Sequence, residues 1–345
     1  MYPAIAVLDS LRMQAGVEVE AVHIGTSSPI ERHILSQRNI TSTALNVTGL
    51  RGRGPLELAS GAAKMAAATL AAWRLLRACP PDVAFTAGGY ASVPVILAAR
   101  GQRRPTLLFS ADADPGLAIR LEAHLAQRIA VPVPRAVMGL PASKCLVAGY
   151  PVRAELLAPP DREQAKRQLG FDSARPLLVV FGGSQGARAL NQALATMLDD
   201  LLPQAQVLHV CGAADAPEYT PKASASYHVH AFMDNLPLGL AAADLALCRA
   251  GASALGELPA VGLPAVLVPG AFAGGHQRSN AAVLAEAGAA VTVSPAHASA
   301  GELGPLVLDL LHDQPRRAAM ARAMRSLARP HAAQDIAQEL LRLAA

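Results

Sequence analysis

The sequence predicts an α/β protein made of two doubly wound, parallel-sheet halves. Three observations carry that reading. Short apolar runs alternate with segments of helical spacing along the chain. Glycines stand at the ends of the strand-like runs. The alternation also restarts once, after Gly149-Tyr150-Pro151-Val152-Arg153, which reads as a linker in a chain of 345 residues. There is no short-period repeat. A cleft between two such halves is the expected binding site.

In chain order, residues 4–15 have helical spacing, with Pro3 suited to a first helical turn. Residues 17–24 alternate like a strand, 31–38 read as helix and 43–47 as strand. A doubly wound domain ordinarily opens with a strand and a glycine loop before its first helix. Here that first strand is missing. A basic loop, Gly49 to Gly54, precedes a long helix over 56–79, which Pro80-Pro81 stops. Strands follow at 82–86 and 106–109, each ending in a small or polar loop. Helices follow at 91–100 and 117–127, and short strands at 129–131 and 145–147. The second half has a helix at 161–170. The apolar run Leu177 to Phe181 then turns through Gly182, Gly183, Ser184, Gln185, Gly186 and Ala187 into a helix. Free backbone N–H groups at such a helix start suit a phosphate, and the glycines let a ligand approach. The same turn also serves packing alone. Strands at 207–210, 227–232, 245–248, 265–268 and 290–293 alternate with helices at 236–242, 253–261 and 277–287. Helices fill 302–312 and 314–345, the latter divided by Pro330.

Composition narrows the classes. Hydrophobic residues make up 52% and aromatics 3%, a folded α/β balance rather than a disordered one. The four cysteines, Cys79, Cys145, Cys211 and Cys248, are far apart, which argues against a zinc site or a disulfide framework and fits a reducing cytoplasm. The first residues carry no signal-peptide pattern, and no apolar run is long enough to span a bilayer. Net charge is +4, but residues 1–150 hold 15 Lys+Arg against 9 Asp+Glu, and residues 151–345 hold 15 against 17. A basic first half suits phospholipid or a pyrophosphate ligand, and equally a solvated face. Nucleic acid is disfavoured: Lys and Arg are not densely clustered, and aromatics for base stacking are few.

Seven motifs then fall in one order: GLRGRG at 49–54, GGYASVP at 88–94, GYPVR at 149–153, GGSQGARALN at 182–191, AFMDNL at 231–236, CRAGASALGEL at 248–258 and HQRSNA at 276–281. Together they resemble the MurG family over nearly the whole chain. The resemblance implies a GT-B fold of two Rossmann-like domains with an interdomain cleft. The domains would span 1–148 (acceptor and membrane side) and 149–325 (UDP-sugar side), with a helix at 326–345 packing back toward the first. It implies an inverting transfer of N-acetylglucosamine from UDP-N-acetylglucosamine to lipid I, forming lipid II. It further implies no cofactor, no metal, and a peripheral position on the anionic cytoplasmic face of the bacterial inner membrane.

Site residues follow on the matching positions. Ser184 and its neighbouring N–H groups face the nucleotide diphosphate. Arg153 pairs with phosphate or forms an ion pair. Met233 follows a strand where backbone groups read uracil, or it is core, where its side chain belongs. Ala252, Ser253, Ala254, Leu255, Gly256 and Glu257 open a helix on the nucleotide side, with Glu257 accepting from the ribose hydroxyls. Gln277 and Asn280 bond sugar hydroxyls or cap their helix, with His276 nearby. Gly88, Gly89 and Tyr90 form the acceptor-side loop, or a structural turn. Arg51, Arg53, Lys64, Leu70, Trp73 and Arg74 combine basic and apolar groups for a membrane, unless Trp73 is core.

Two departures stand out. The family's first strand and histidine-bearing GGTGGH-type loop are absent, as if the record began at an internal methionine, about 10–20 residues late. The family's HEQNxxPG-type loop is replaced by Phe109-Ser110-Ala111-Asp112-Ala113-Asp114-Pro115-Gly116. That leaves Asp112 and Asp114 as candidate bases, since a carboxylate in a closed cleft is raised toward neutral pKa. A GT-B transferase with another acceptor, and a non-catalytic UDP-sugar-binding relative, fit the same residues.

Overall fold

The computed structural model describes residues 1–14, 16–26, 29–45, 55–89, 91–270, 275–299 and 301–345. The chain divides into two units, Met1–Pro151 with His331–Ala345, and Val152–Pro330.

The first unit runs α1 (Tyr2–Arg12), β1 (Val22–Gly25), α2 (Pro29–Gln37), β2 (Thr41–Ala44), α3 (Pro55–Ala78), β3 (Ala84–Thr86), α4 (Ser92–Gly101), β4 (Thr106–Phe109), α5 (Leu117–Leu125), β5 (Arg128–Val131) and β6 (Cys145–Val147). The second runs α6 (Arg162–Gln168), β7 (Leu177–Phe181), α7 (Arg188–Leu201), β8 (Gln206–Val210), α8 (Ala216–Tyr219), β9 (Tyr227–His230), α9 (Leu236–Ala242), β10 (Leu245–Cys248), α10 (Ala254–Val261), β11 (Ala265–Leu267), α11 (His276–Glu286), β12 (Ala290–Thr292), α12 (Pro295–Ser299), α13 (Leu303–His312) and α14 (Gln314–Ser326). The last helix, α15 (Ala332–Ala344), belongs to the first unit and packs on α1.

The second unit has one six-stranded parallel sheet, ordered β12-β11-β10-β7-β8-β9. Its first strand, β7, is central and wholly buried. The order reverses between β7 and β10, and that switch point is where loops diverge to leave a ligand crevice. The sheet is covered by α7 and α13, whose Leu190, Leu194, Leu198, Val307 and Leu311 pack with Leu178, Val180 and Val266.

The first unit has two parallel sheets, β1-β2 and β3-β4-β5-β6. Among the described residues it holds no central strand equivalent to β7. The strand expected over 17–24 forms only at Val22–Gly25, where each residue finds a partner from Thr41 to Ala44. The alternating residues 17–20 have no ladder to join, and alternation without a partner does not make a strand. Around the larger sheet, Ile96, Leu108, Ala123 and Ile129 form one cluster, and Ala72, Leu76, Val95 and Ala98 another.

An ionic cluster centred on the buried Asp244 and Lys166 fixes the entry to β7. The Asp244 carboxylate accepts from Lys166 Nζ at 2.7 Å, Arg162 Nη1 at 3.1 Å and the Leu177 amide at 2.9 Å. Lys166 is buried and also donates to the Arg175 carbonyl at 2.7 Å. Removing one partner strands the other charge in a low-dielectric setting. D244A is therefore expected to cost about 3–5 kcal/mol in urea unfolding, and a K166M/D244L pair to restore most of it.

Candidate functional site

The carboxyl ends of β7, β10, β11, β8 and β9 lie on one edge of the second sheet, because every ladder there is parallel. At β7 the chain leaves through the glycine turn. A methyl group on Gly182 would meet Ala187 at 2.4 Å, and one on Gly186 (φ +74°) would meet the Cys211 carbonyl at 2.1 Å. The turn is thus wound on itself and pressed against the exit of β8. Gly183 (φ +94°) instead faces open space, and Ser184 is exposed. The Gly186 amide closes on the Gly183 carbonyl at 2.9 Å. No side chain caps the start of α7, which leaves that helix end as an anion-friendly backbone surface.

Cys248 of β10 sits in register with Phe181 of β7, so residues 249–253 emerge beside the glycine turn, one strand spacing (about 4.8 Å) away. The helix here begins at Ala254, one residue after the 253 start expected from sequence; Ala252 and Ser253 form a turn. Ala254, Leu255 and Gly256 are buried, so they present backbone and packing rather than side-chain chemistry. Glu257 is also buried, at 7% exposure. Burial pushes its carboxyl pKa up, while Arg153 and a hydrogen bond from Ser253 act in the opposite direction. Arg153, itself buried, places Nη2 3.7 Å from Glu257 Oε1 and donates from Nη1 to the Asp234 carbonyl at 3.0 Å. Arg153, Ser253, Glu257 and the Met233-Asp234 backbone thus form one cluster. The Met233 thioether leans toward Gly239 of α9, with Sδ 3.6 Å from where a Cβ would stand there. Its side chain belongs to packing.

Neither Gln277 nor Asn280 caps α11; that helix starts from Gly275 without a side-chain cap. Gln277 Oε1 accepts the Gly270 amide at 2.7 Å, holding the exit of β11. Asn280 is fully buried, and its Nδ2 donates to the Ala250 carbonyl at 3.1 Å. It therefore acts on the 249–253 loop from beneath. His276 is half-buried at the first position of α11.

Sequence reasoning missed a buried network behind the glycine turn. Asn191 Nδ2 donates to the Cys211 carbonyl at 2.8 Å and to Asp215 Oδ2 at 2.7 Å. Those two acceptors fix the amide orientation, so Asn191 Oδ1 accepts from His209 Nε2 at 2.9 Å. His209 Nδ1 is then the acceptor for the Tyr227 hydroxyl at 2.8 Å. Burial lowers the His209 pKa to about 4, which keeps the ring neutral and this tautomer in place. The signal was present in GGSQGARALN, where Asn191 stands one turn into α7, but His209 and Tyr227 come from separate strands.

In the first unit, β3 and β4 are neighbours, so Gly88-Gly89 and the 109–116 loop leave the same edge. Gly88 (φ +74°) has Ile119 at 2.0 Å from a would-be Cβ, and Gly89 (φ +103°) faces open space. Phe109 and Ser110 are buried, with Phe109 edge-on to Tyr150 at 5.6 Å. These two positions of the divergent loop are therefore structural. Asp112 is half-buried, whereas Asp114 accepts from Arg120 at 3.1 Å. Tyr90, Arg51 and Arg53 lie outside the described residues. Among the described residues no group of His, Cys, Asp and Glu is arranged to hold a metal.

Known proteins match this architecture. The glycosyltransferase family 28 N-terminal domain model matches residues 1–131, and the C-terminal domain model of the same family matches 177–340. A UDP-N-acetylglucosamine–N-acetylmuramyl-(pentapeptide) pyrophosphoryl-undecaprenol N-acetylglucosamine transferase of Roseiflexus sp. (strain RS-1) is 38% identical, over 92% of this chain and 82% of the relative. One of the same name from Moorella thermoacetica is 36% identical, over 99% and 95%. The crystal structure of Acinetobacter baumannii MurG superimposes with a TM-score of 0.72 at 26% identity, covering 99% of this chain and 95% of that one. The fold is GT-B, with two Rossmann-like domains, and the chain belongs to glycosyltransferase family 28 and, within it, to the MurG family.

Proposed function

We propose that this chain transfers N-acetylglucosamine from UDP-N-acetylglucosamine to the N-acetylmuramyl-(pentapeptide) pyrophosphoryl-undecaprenol acceptor, lipid I, making lipid II. One observation carries the reading. In a chain 38% identical to a transferase of that name, the open Gly183-Ser184 face and the Ser253-to-Glu257 segment, which Arg153 meets at 3.7 Å, leave neighbouring strands of one sheet edge. The glycine turn and the start of α7 take the diphosphate, through backbone N–H groups and the Ser184 hydroxyl. Arg153 supplies fixed positive charge close by. Glu257, oriented by Ser253 and Arg153, accepts from the ribose hydroxyls, and the Met233 backbone meets the base. Gln277 and Asn280 hold the two loops that face the sugar.

On the acceptor side, Gly88-Gly89 receives the pyrophosphate. A base takes the proton of the muramoyl hydroxyl, whose oxygen attacks the anomeric carbon opposite the UDP leaving group, inverting that centre. We assign the base to Asp112, which stands at the last polar position of the HEQNxxPG-type loop of the family. The acceptor's lipid tail and the membrane meet α3 and α4. There an open hollow of about 590 Å³ is lined by Ala62, Met65, Ala66, Thr69, Leu70, Trp73 and Leu97. Lys64, Arg74 and Arg77 are exposed on the same helix, α3. Trp73 serves both readings: its ring covers Gly101 and its edge lines the hollow. No helix among the described residues is long and apolar enough to cross a membrane. The reading places attachment at this basic and apolar surface, on the cytoplasmic face of the inner membrane.

Calorimetry with UDP tests the donor site: E257A is expected to bind about 10- to 100-fold more weakly, with E257Q between it and the wild type. Unchanged binding of E257A would remove Glu257 from the donor site. In lipid I turnover, D112N is expected to lower kcat by about 100-fold or more with donor KM preserved, and D114N to have a smaller effect. Equal rates for D112N and wild type would reject the base assignment. Sedimentation with vesicles containing anionic lipid is expected to capture the wild type, to fall with added salt and to fall further in an L70S/K64E variant.

A further inference from the structure

Glu122 lies on α5 at 1% exposure, a carboxyl group buried beneath the Gly88-Gly89 loop. Both of its oxygens are 2.9 Å from the Ser92 hydroxyl. That hydroxyl is also 2.6 Å from the Gly89 carbonyl, and the Gly89 amide donates to the Glu122 carboxyl. Ile119, one turn earlier on α5, fills the space where a Gly88 side chain would stand. The loop therefore rests on two residues of one helix, an apolar one under Gly88 and a titratable one under Gly89.

Two neighbouring cations are committed elsewhere. Arg120 bonds Asp114 and the Pro115 carbonyl. Lys144 Nζ bonds the carbonyls of Ala123, His124 and Ala126. Arg100 stands in the last turn of α4, His124 in the last turn of α5, and Asp112 in the loop before α5. Among the described residues none of these forms an ion pair with Glu122. Burial, opposed by the Ser92 and Gly89 hydrogen bonds, pushes the carboxyl up to about 7.

Proton counting shows what changes with ionisation. Ser92 has one hydroxyl proton. With Glu122 ionised, that proton serves either the carboxylate or the Gly89 carbonyl. With Glu122 protonated, its O–H donates to Ser92 Oγ, and the Ser92 proton goes to the Gly89 carbonyl. All three groups are then satisfied and Gly89 is held at both its N–H and its C=O. An ionised Glu122 also places negative charge directly under the face that an anion would use.

We propose that Glu122 is a positioning residue for the acceptor-side glycine loop, and that the loop's hold on an anion is proton-linked through it. The inference rests on the acceptor diphosphate docking at Gly88-Gly89. Anion binding then favours the protonated carboxyl, and by reciprocity a proton on Glu122 favours anion binding.

Steady-state KM values for lipid I and for UDP-N-acetylglucosamine, measured from about pH 6 to about pH 8.5, test it. In the wild type the lipid I KM is expected to rise about tenfold across that range, with the donor KM flat. E122Q keeps the shape and offers an N–H to Ser92 at every pH, so its lipid I KM is expected to stay flat at the low-pH value. S92A removes a donor to the ionised carboxylate and is expected to move the midpoint to higher pH. G89A, which adds a methyl at φ +103°, is expected to raise the lipid I KM at every pH. Wild-type and E122Q profiles that superimpose would overturn the role of Glu122. A G89A enzyme with unchanged lipid I KM would instead reject docking at the loop. Thermal unfolding reads the proton without acceptor. A raised folded-state pKa means the folded chain keeps a proton that the unfolded chain has released. Wild-type Tm should therefore fall relative to E122Q as pH rises from about 4.5 to about 7, and level off above. A constant difference in Tm over that range would also overturn the proposal.

Discussion

Parallel pairing in register is the constraint on which the rest depends. β7 pairs with β10 on one side and β8 on the other, so three strands deliver their following loops to the same edge. No side chain chooses that edge; the direction of the strands does. Residues far apart in sequence, such as Ser184, Gly212 and Ser253, become neighbours in sheet order for this reason. What the side chains decide is how each loop is held once it arrives.

Holding is done from beneath, by buried polar groups. Asn191 and His209 secure the exit of β8 against the start of α7. Asn280 secures the exit of β10, and Gln277 that of β11. In the first unit Glu122 and Ser92 do the same for the exit of β3. Each bond satisfies a group that would otherwise be costly to bury, so the loop geometry is tied to the folding energy. The exposed atoms of the loops are left for ligands.

Much of this was legible in the chain. The strand–glycine–helix runs around Phe181 and Cys248 give the architecture, because a buried parallel strand must be a short apolar run and its exit must turn tightly. Arg153 and Glu257 entered the candidate site only through the motifs they sit in; that they meet each other is a fact of tertiary packing. Asn280 was read as a group facing the sugar or capping its helix, yet it is buried and holds Ala250, since spacing on a helix does not say which face the core will take. Glu122 was invisible for a related reason. It sits at the inner face of α5 among positions that read as helical surface, and its partner Ser92 comes from a different helix. The alternation over residues 17–20 misled, because periodicity reports on side-chain environment and says nothing of whether a ladder partner exists.

The back-to-back contact between Gly186 and Gly212 limits how this protein can diverge. A methyl group on Gly212 would stand 2.7 Å from the Gly186 Cα and from the Gln185 carbonyl, and one on Gly186 would run into the Cys211 carbonyl and stand 3.0 Å from the Gly212 Cα. A substitution at one therefore demands a compensating shift of a whole strand exit, not of a single side chain. Sequence change at this edge of the sheet is thereby channelled away from the turn after β7 and into the neighbouring exits of β10 and β11, whose backbones are held by side chains such as Asn280 and Gln277 that can be replaced one residue at a time.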